Sequence, residues 1–327
     1  MHNLACTVSQ AGGLGLIGSV NDMDALEDEM KLAKEKLASS NLPTKAPGTM
    51  PIGVGLLPFV SNLDEAAKII GEYKPAVVWL FVVKKPGDYK LWTHKMREAS
   101  PDSKIWIQNG GVASAIDIAK TCRPDVLVMQ GADAGGHGYE NSAGVISLVP
   151  ETLSALAEAG LSDIKVVASG GISDGRSVTA ALALGASGAV MGTRFLGSEE
   201  VVLPVKEPIR EALFKATDGG KSTTRAKLFD ELKGPNFWPE EYDGRSLVVD
   251  SYLDYKAGMS IDEIRRLHKE AENTNEKGFS LVKGQSRAAV WAGTGVGFLK
   301  KVESAAEIVQ EVQADAIKAF DRARASL

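Results

Sequence analysis

The chain has 327 residues, of which 44% are hydrophobic and 24% are charged, and its net charge is −5. These ordinary globular values exclude a disordered, collagen-like or disulfide-rich chain. Because the net charge is negative, the sequence shows no excess of basic residues that would bind nucleic acid or anionic lipid. The expected partners are therefore small molecules.

Cysteine content and hydropathy indicate the cellular compartment in which the protein is expected. Cys6 and Cys122 are too few and too unpatterned for a disulfide framework or a zinc site, which favours a reducing compartment, and the cytoplasm is the expected location. The N-terminal sequence MHNLACTVSQAGG lacks the basic and apolar segments of a secretory signal. The most apolar stretch, residues 75–83, is far shorter than the ~20 residues that span a bilayer, so a buried strand is expected there and no membrane contact.

Short apolar runs alternate with helical patterns along the first 195 residues. The runs are continuous, as in strands of a parallel sheet that is covered on both faces. They read LGLIG, PIGVGLL, AVVWLFV, KIWIQN, VLVMQG, KVVASGG and GAVMGTRF. Between them, apolar residues recur three and four positions apart, as in amphipathic helices. Examples are DMDALEDEMKLAKEKLA, NLDEAAKIIGEY, SAIDIAKTC, PETLSALAEAG and GRSVTAALALG.

This alternation predicts an α/β fold, either an open doubly wound sheet or a closed (β/α)8 TIM barrel. The barrel is favoured because glycine-rich or polar clusters follow several strands, where barrel active sites are assembled. A barrel needs eight strands, and the first would precede LACTVSQAG, which is typical of a helix. The chain starts too late to contain it, so either the chain is truncated or the barrel is completed in another way.

The strand and helix rhythm stops after residue 194, which predicts a division into two regions. Residues 1–198 are expected to form the barrel core. Residues 199–327 are expected to be an appended region that covers one side of the barrel mouth and ends in a long helix, VESAAEIVQEVQADAIKAFDRARA. Within it, residues 199–217 and 261–277 have helical patterns. A homodimer is left open.

Two neighbouring loops have the pattern of a phosphate site. KVVASGG runs directly into Gly170 and Gly171, and the next strand places Gly192 and Thr193 at its tip. The loops after strands seven and eight of a barrel commonly hold a phosphate, because backbone N–H groups without a Cβ nearby converge on its oxygens. A helix N-terminus from about Asp174 would add a favourable dipole.

The segment QGADAGGHGYE places one of only four histidines among four glycines. His137 is expected in the loop after a strand that ends at Gln130, over the same barrel mouth as the phosphate loops. Glycines would let the backbone approach a flat ligand, and an imidazole can act as a base near neutral pH. From these residues alone, a catalytic and an ordinary structural histidine are both open.

The motifs GADAGGHG, ASGGISDGR and GASGAVMGTRF together resemble those of the nitronate monooxygenase family, formerly called 2-nitropropane dioxygenases, particularly its fungal members. The resemblance implies a flavoprotein with an FMN-containing barrel that oxidises alkyl nitronates with O2 to a carbonyl compound and nitrite. It implies His137 as the catalytic residue. By motif, the implied FMN contacts are Gln130, Gly135, Gly171, Met191, Gly192 and Thr193, with Gly170 adjacent.

Two features depart from the family pattern. The usual first strand with its Ala-Pro-Met element is absent from this chain. Many relatives also have an asparagine after Gly-Val on the third strand, where this chain has Gly55.

Other functions also remain open. One is an FMN-dependent enoyl-thioester reductase that uses NAD(P)H, which resembles this family through the same GGH element. Another is a flavin-free binding or scaffold protein. The GTGVG segment at 293–297 is expected to fold back to the barrel mouth, since no second strand follows it to complete a dinucleotide-binding unit. His268 and His94 are expected on solvated helix faces.

Overall fold

The computed structural model describes residues 1–18, 22–38, 40, 42 and 48–326. Its strands are β1 (Leu16–Ile17), β2 (Met50–Leu56), β3 (Pro75–Leu80), β4 (Lys104–Asn109), β5 (Val126–Gln130), β6 (Gly136–Tyr139), β7 (Lys165–Ser169), β8 (Gly188–Val190), β9 (Thr223–Ala226) and β10 (Tyr242–Leu247). Seven of these strands form one parallel sheet in the order β1-β2-β3-β4-β5-β7-β8. Each of the seven predicted apolar runs overlaps one of them, so this part of the prediction is confirmed.

Helices connect the parallel strands and continue through the second half of the chain. They are α1 (His2–Gln10), α2 (Met23–Leu37), α3 (Leu63–Tyr73), α4 (Asp88–Ala99), α5 (Val112–Cys122), α6 (Val145–Glu158), α7 (Gly175–Ala183), α8 (Lys206–Lys215), α9 (Gly219–Ser222), α10 (Leu228–Glu231), α11 (Asp250–Lys256), α12 (Ile261–Glu272) and α13 (Ala305–Ala325). None of the described helices is long and apolar enough to cross a membrane.

The two faces of the parallel sheet have different partners because side chains alternate along each strand. On β4, Ile105 and Ile107 are fully buried in the large cluster that contains the surrounding helices. Trp106 points the other way and joins Trp79 and Val128 in a smaller cluster. The rings of Trp79 and Trp106 lie 5.9 Å apart. Large side chains therefore fill the inner side of the sheet, as in a barrel interior.

A second sheet was not predicted. It has three antiparallel strands in the order β6-β10-β9. The glycine-rich segment around His137, expected as a loop, forms its edge strand β6, and His137 lies opposite Gly244 of β10. The segment therefore has a fixed backbone that is hydrogen-bonded to a strand about 100 residues further along the chain.

The region after β8 has its own apolar cluster and also contacts the barrel. The cluster contains Leu213, Phe229, Ile264 and Val296. The last helix α13 packs against α7 and α1, and Thr179 of α7 donates a hydrogen bond to the carbonyl of Ala316 at 2.9 Å. This helix therefore lies among the helices that cover the sheet.

One histidine contradicts its prediction. His268 was expected on a solvated helix face, but its residue exposure is only 2% because α12 turns this side towards the apolar cluster. Burial lowers the pKa of His268, which favours its neutral form. His94 has the expected exposed position beside Glu98.

A buried ion pair joins the loop after β8 to the start of α13. Arg194 donates to Glu303 at 2.7 Å, and both side chains are less than a tenth exposed. Arg194 also contacts Glu311 at 3.2 Å, but Glu311 is half exposed. Burial would raise the pKa of Glu303, yet hydrogen bonds from Arg194 and Lys301 outweigh it, and the pKa lies below its ordinary value.

The change Glu303→Gln is expected to lower the free energy of unfolding by about 3 kcal/mol, because it leaves the buried Arg194 charge with only the half-exposed Glu311 as an ionic partner. Glu311→Gln is the matched control, since it removes an exposed partner of the same arginine and should cost less than about 1 kcal/mol. Urea unfolding near neutral pH measures both.

The same pair predicts a dependence on pH. A carboxylate whose pKa is lowered by folding contributes stability above its unfolded pKa of about 4.3, and that stability is lost as the pH falls through the folded pKa. The difference between the wild type and Glu303→Gln should therefore shrink in acid. Equal losses for the two glutamine variants at neutral pH would contradict the assignment.

Candidate active site

A cavity of about 210 Å³ lies at the carboxyl ends of the parallel strands. The strand ends and the loops that follow β5, β7 and β8 form most of its wall, as expected for a barrel active site. Its lining consists of Trp79, Gln108, Gln130, Ala134, Gly135, Ser169, Gly170, Gly171, Ile172, Ser173, Val190, Gly192, Thr193 and Gly295. Six of the seven predicted cofactor contacts are in this set. The seventh, Met191, is partly buried and packs against the large apolar cluster.

Two buried polar atoms of the cavity lining have no partner among the described residues. They are Oε1 of Gln130 and the hydroxyl oxygen of Ser173. The amide nitrogen Nε2 of Gln130 donates a hydrogen bond to the backbone carbonyl of His137 at 3.0 Å, which fixes the orientation of the amide. Buried polar atoms are nearly always hydrogen-bonded in folded proteins, so these two atoms are open to a water molecule or a bound ligand.

The glycine loop after β7 has a backbone that other residues rarely adopt. Gly170 and Gly171 have φ angles of 104° and 73°. A Cβ on Gly171 would also lie 2.9 Å from the Cβ of Asp133. Gly192, in the neighbouring loop after β8, has an ordinary φ of −109°, and nothing lies within 4 Å of an added Cβ. The first loop therefore needs glycine for its own conformation, whereas Gly192 leaves open space.

The predicted helix N-terminus is present, but the chain itself caps it. Asp174 accepts a hydrogen bond from the backbone of Ser177 at 2.9 Å in a reciprocal capping box. Burial would raise the pKa of Asp174, but the hydrogen bonds from Ser177 and Arg176 lower it overall. With a carboxylate already on the helix end, the glycine backbone of the two loops is the part left to bind an anion.

His137 lies beside the cavity and is not part of its wall. Its Nε2 is 2.6 Å from Oδ1 of Asp230, and its ring stacks on Trp238 with centroids 3.7 Å apart. Trp291 approaches the same ring at 4.8 Å with a tilt of 48°. The imidazole is 17% exposed. It is connected to the cavity through Gly135, two residues earlier on the chain, and through the hydrogen bond from Gln130.

The pairing of β6 with β10 creates the space around His137. Gly244 lies opposite His137, and a Cβ on Gly244 would be 2.4 Å from the ring of Trp291. The absence of this Cβ lets the indole lie against the strand and reach the imidazole.

The GTGVG segment folds back onto the barrel mouth, as predicted. The N–H of Gly293 donates to the Thr193 hydroxyl at 2.9 Å, and the N–H of Thr294 donates to the carbonyl of Asp133 at 3.0 Å. Gly295 packs against Ser173 so closely that an added Cβ would be 2.0 Å from its oxygen. This segment therefore ties the loops after β5, β7 and β8 together.

A strained residue supports the aromatic side of the site. Val82 follows β3 and has a φ of 61°, which is rare for a β-branched residue. Its N–H donates to the buried Tyr89 hydroxyl at 3.0 Å, and burial raises the pKa of Tyr89 above its ordinary value. Val82 belongs to one cluster with Phe59 and Trp238, and the rings of the last two lie 4.7 Å apart. The cluster holds the indole that stacks on His137.

Sequence reasoning missed Asp230, Trp238, Trp79 and Gln108. Asp230 and Trp238 are separated from His137 by about 90 to 100 residues, in a segment whose pattern predicted no site. Among the described residues there is also no group of three or more histidine, cysteine or acidic side chains that could hold a metal ion.

Comparison with known proteins decides the family. Residues 93–315 match the family profile described as nitronate monooxygenase. The chain is 38% identical to "Nitronate monooxygenase npaC" of Metarhizium robertsii, over 99% of this chain and 88% of the relative. The chain belongs to the nitronate monooxygenase family. A nitronate monooxygenase of Neurospora crassa is 35% identical, over 96% of this chain and 85% of the relative. These relatives confirm the resemblance to fungal members and identify an oxidoreductase enzyme.

Solved structures of other proteins confirm the barrel-type α/β fold of this family member. FabK from Thermotoga maritima has a TM-score of 0.72 at 22% identity, with 100% of this chain and 92% of that chain covered. Nitroalkane oxidase from Streptomyces ansochromogenes also has a TM-score of 0.72, at 20% identity, with 98% and 93% covered. At these identities the similarity extends to the fold alone.

An alanine is expected to affect stability very differently in the two neighbouring glycine loops. Gly171→Ala should lower the free energy of unfolding by roughly 2 kcal/mol or more, because it combines a positive φ with a steric clash. Gly192→Ala should change it by less than about 0.5 kcal/mol, since the methyl group meets open space. Urea unfolding of the two variants tests this, and a stable Gly171→Ala protein would contradict the described loop.

Proposed function

We propose that this family member is an FMN-dependent enzyme that oxidises alkyl nitronates, or the parent nitroalkanes, with O2 to a carbonyl compound and nitrite, with His137 as catalytic base. The observation that carries the proposal is the pairing of a glycine-walled cavity, which contains unpartnered buried polar atoms, with a firmly held imidazole at its edge. Family membership supports the substrate class, since the relatives are nitronate monooxygenases by name.

The residues of the cavity fit FMN in their chemistry. The backbone of Gly170, Gly171 and Gly192 with the hydroxyl of Thr193 would hold the phosphate, because these loops expose N–H groups without side chains. The open acceptor of Gln130 matches a ring N–H, and Gly135 leaves the backbone close to a flat ligand. The cavity is smaller than the ~300–1,000 Å³ usual for ligand pockets, so a flavin nucleotide would extend beyond it towards the mouth. When bound, FMN supplies the redox chemistry.

The chain itself would contribute the proton chemistry. In a neutral nitroalkane the proton on the α-carbon must leave before the compound becomes a nitronate, and His137 would accept it. With a nitronate, which is already an anion, no proton has to be removed. The tryptophans beside His137 hold the ring and keep bulk water from most of it, which preserves its orientation for proton abstraction.

The division of the chain into a barrel core, residues 1–198, and an appended second region, residues 199–327, is part of this proposal. The second region contributes Asp230, Trp238 and Trp291 beside His137, and Gly295 to the cavity wall. We propose that it completes the site over the barrel core. A cytoplasmic location and a homodimer remain predictions.

Binding of FMN has a direct test with a matched pair of variants. The wild type should quench FMN fluorescence with saturation at one equivalent. Gly192→Ala should weaken binding at least about tenfold, because its methyl group occupies the open space at the phosphate loop. Gly87→Ala, which also places a methyl in open space but at the start of α4, is the control and should bind as the wild type does. A colourless protein that binds no FMN would favour the scaffold alternative.

The role of His137 is tested by His137→Asn. This variant should retain FMN but lose about 10²–10⁴-fold in kcat/KM with a neutral nitroalkane, which is the usual contribution of a general base. Nitrite release measures turnover. Unchanged turnover with bound FMN would remove His137 from the mechanism. NAD(P)H oxidation that depends on an enoyl thioester, without nitrite from nitronates, would instead identify the reductase alternative.

A further inference from the structure

Asp230 is the one side chain in the described part of the chain that hydrogen-bonds the ring of His137. Its Oδ1 lies 2.6 Å from Nε2, and the carboxylate is 5% exposed. Its other oxygen, Oδ2, is buried and has no partner among these residues. The carboxylate thus has one strong contact, and this contact is to the imidazole.

This contact determines which ring nitrogen can act as a base. An ionised carboxylate only accepts hydrogen bonds, so Nε2 must carry a proton and donate it. In the neutral imidazole the lone pair is then on Nδ1, for which the described residues provide no hydrogen-bond partner. When Nδ1 takes a proton, the resulting cation lies directly against the buried carboxylate, where the attraction is stronger than in water.

The short helix that carries Asp230 is held by contacts that do not involve its carboxylate. Leu228 and Phe229 are buried in the apolar cluster of the second region. Arg265 of α12 donates to the carbonyl of Glu231 at 2.8 Å and to that of Gly234 at 3.0 Å. Removal of the charge on Asp230 should therefore leave its backbone in place.

We propose that Asp230 is the positioning residue of His137: its carboxylate fixes the proton on Nε2 and the basic lone pair on Nδ1, and it stabilises the imidazolium formed when the α-proton of a neutral nitroalkane is abstracted. In this step the α C–H bond breaks, its proton moves to Nδ1, and its electron pair stays on the substrate as the nitronate. The proposal rests on the proposed function, because it assigns a second residue to the same base.

The first test reads the tautomer without any turnover. Nitrogen NMR of the protein labelled at its histidines gives the protonation of each ring, and His137→Asn identifies the signals of residue 137. The expected result is a proton on Nε2 and a bare Nδ1 in the neutral ring. A ring with its proton on Nδ1, or one that is doubly protonated throughout the stable pH range, would overturn the proposal.

The second test compares two substrates in Asp230→Asn. The amide keeps the shape but cannot hold the imidazolium, so kcat/KM with a neutral nitroalkane should fall about 100-fold or more. With the pre-formed nitronate it should fall less than about fivefold, since no proton is abstracted. Glu231→Gln changes the next acid on the same helix and is the control, with both activities expected at the wild-type level.

Each result of the second test has a separate meaning. Equal losses on both substrates, or no loss on either, would show that Asp230 does not act through the base. A wild type that oxidises the nitronate but not the nitroalkane would also overturn this proposal and leave the nitronate oxidation intact. No nitrite from the nitronate would contradict the proposed function itself. If Asp230→Asn does not fold, the tautomer of His137 in the wild type still tests the proposal.

Discussion

The antiparallel pairing of β6 with β10 is the constraint on which the rest of the site depends. It makes the end of the glycine-rich segment, Gly136–Tyr139, a strand of fixed direction that contains His137. With β6 fixed, Gly135 lies at the cavity wall and His137 lies two residues further along, against Gly244. The same pairing brings the second half of the chain to the barrel mouth, where it supplies the carboxylate and the two indoles that hold the imidazole.

The second half of the chain also closes the cavity from above the strands. The segment at 293–295 bonds to the loops after β5 and β8 and packs on the loop after β7. The buried pair of Arg194 and Glu303 then anchors this part of the chain next to the loop that contains Gly192 and Thr193. The loops of the candidate phosphate site are thus supported on both sides, which is the preorganisation that a tightly held ligand needs.

Local patterns predicted the barrel well and the second sheet not at all. Continuous apolar runs revealed all seven parallel strands, because a strand buried on both faces has a strong composition signal. The cavity glycines were also predicted, because two neighbouring strands both run into glycine-containing loops, which is the pattern of a barrel phosphate site. Strand β6 was missed because glycines have low strand propensity, and its partner strand is about 100 residues away. His268 was placed on the wrong face because charges dominate the sequence of α12.

The sequence pattern around Asp230 and Trp238 did not predict that they belong to the site. An aspartate or a tryptophan in a segment rich in glycine, proline and acids has many ordinary uses, and only the fold brings these two against His137. The resemblance to the family named the histidine, but the geometry shows what holds it. A cavity with open hydrogen-bonding atoms and a constrained imidazole beside it is a physical arrangement that neither motif nor family alone describes.

The most direct test of the central claim is the absorbance of the FMN-loaded protein on anaerobic mixing with an alkyl nitronate. We expect the visible flavin band to be lost when the nitronate is added and to return when O2 is admitted, with nitrite released. A band that stays unchanged with a nitronate, in protein that demonstrably holds FMN, would contradict the account.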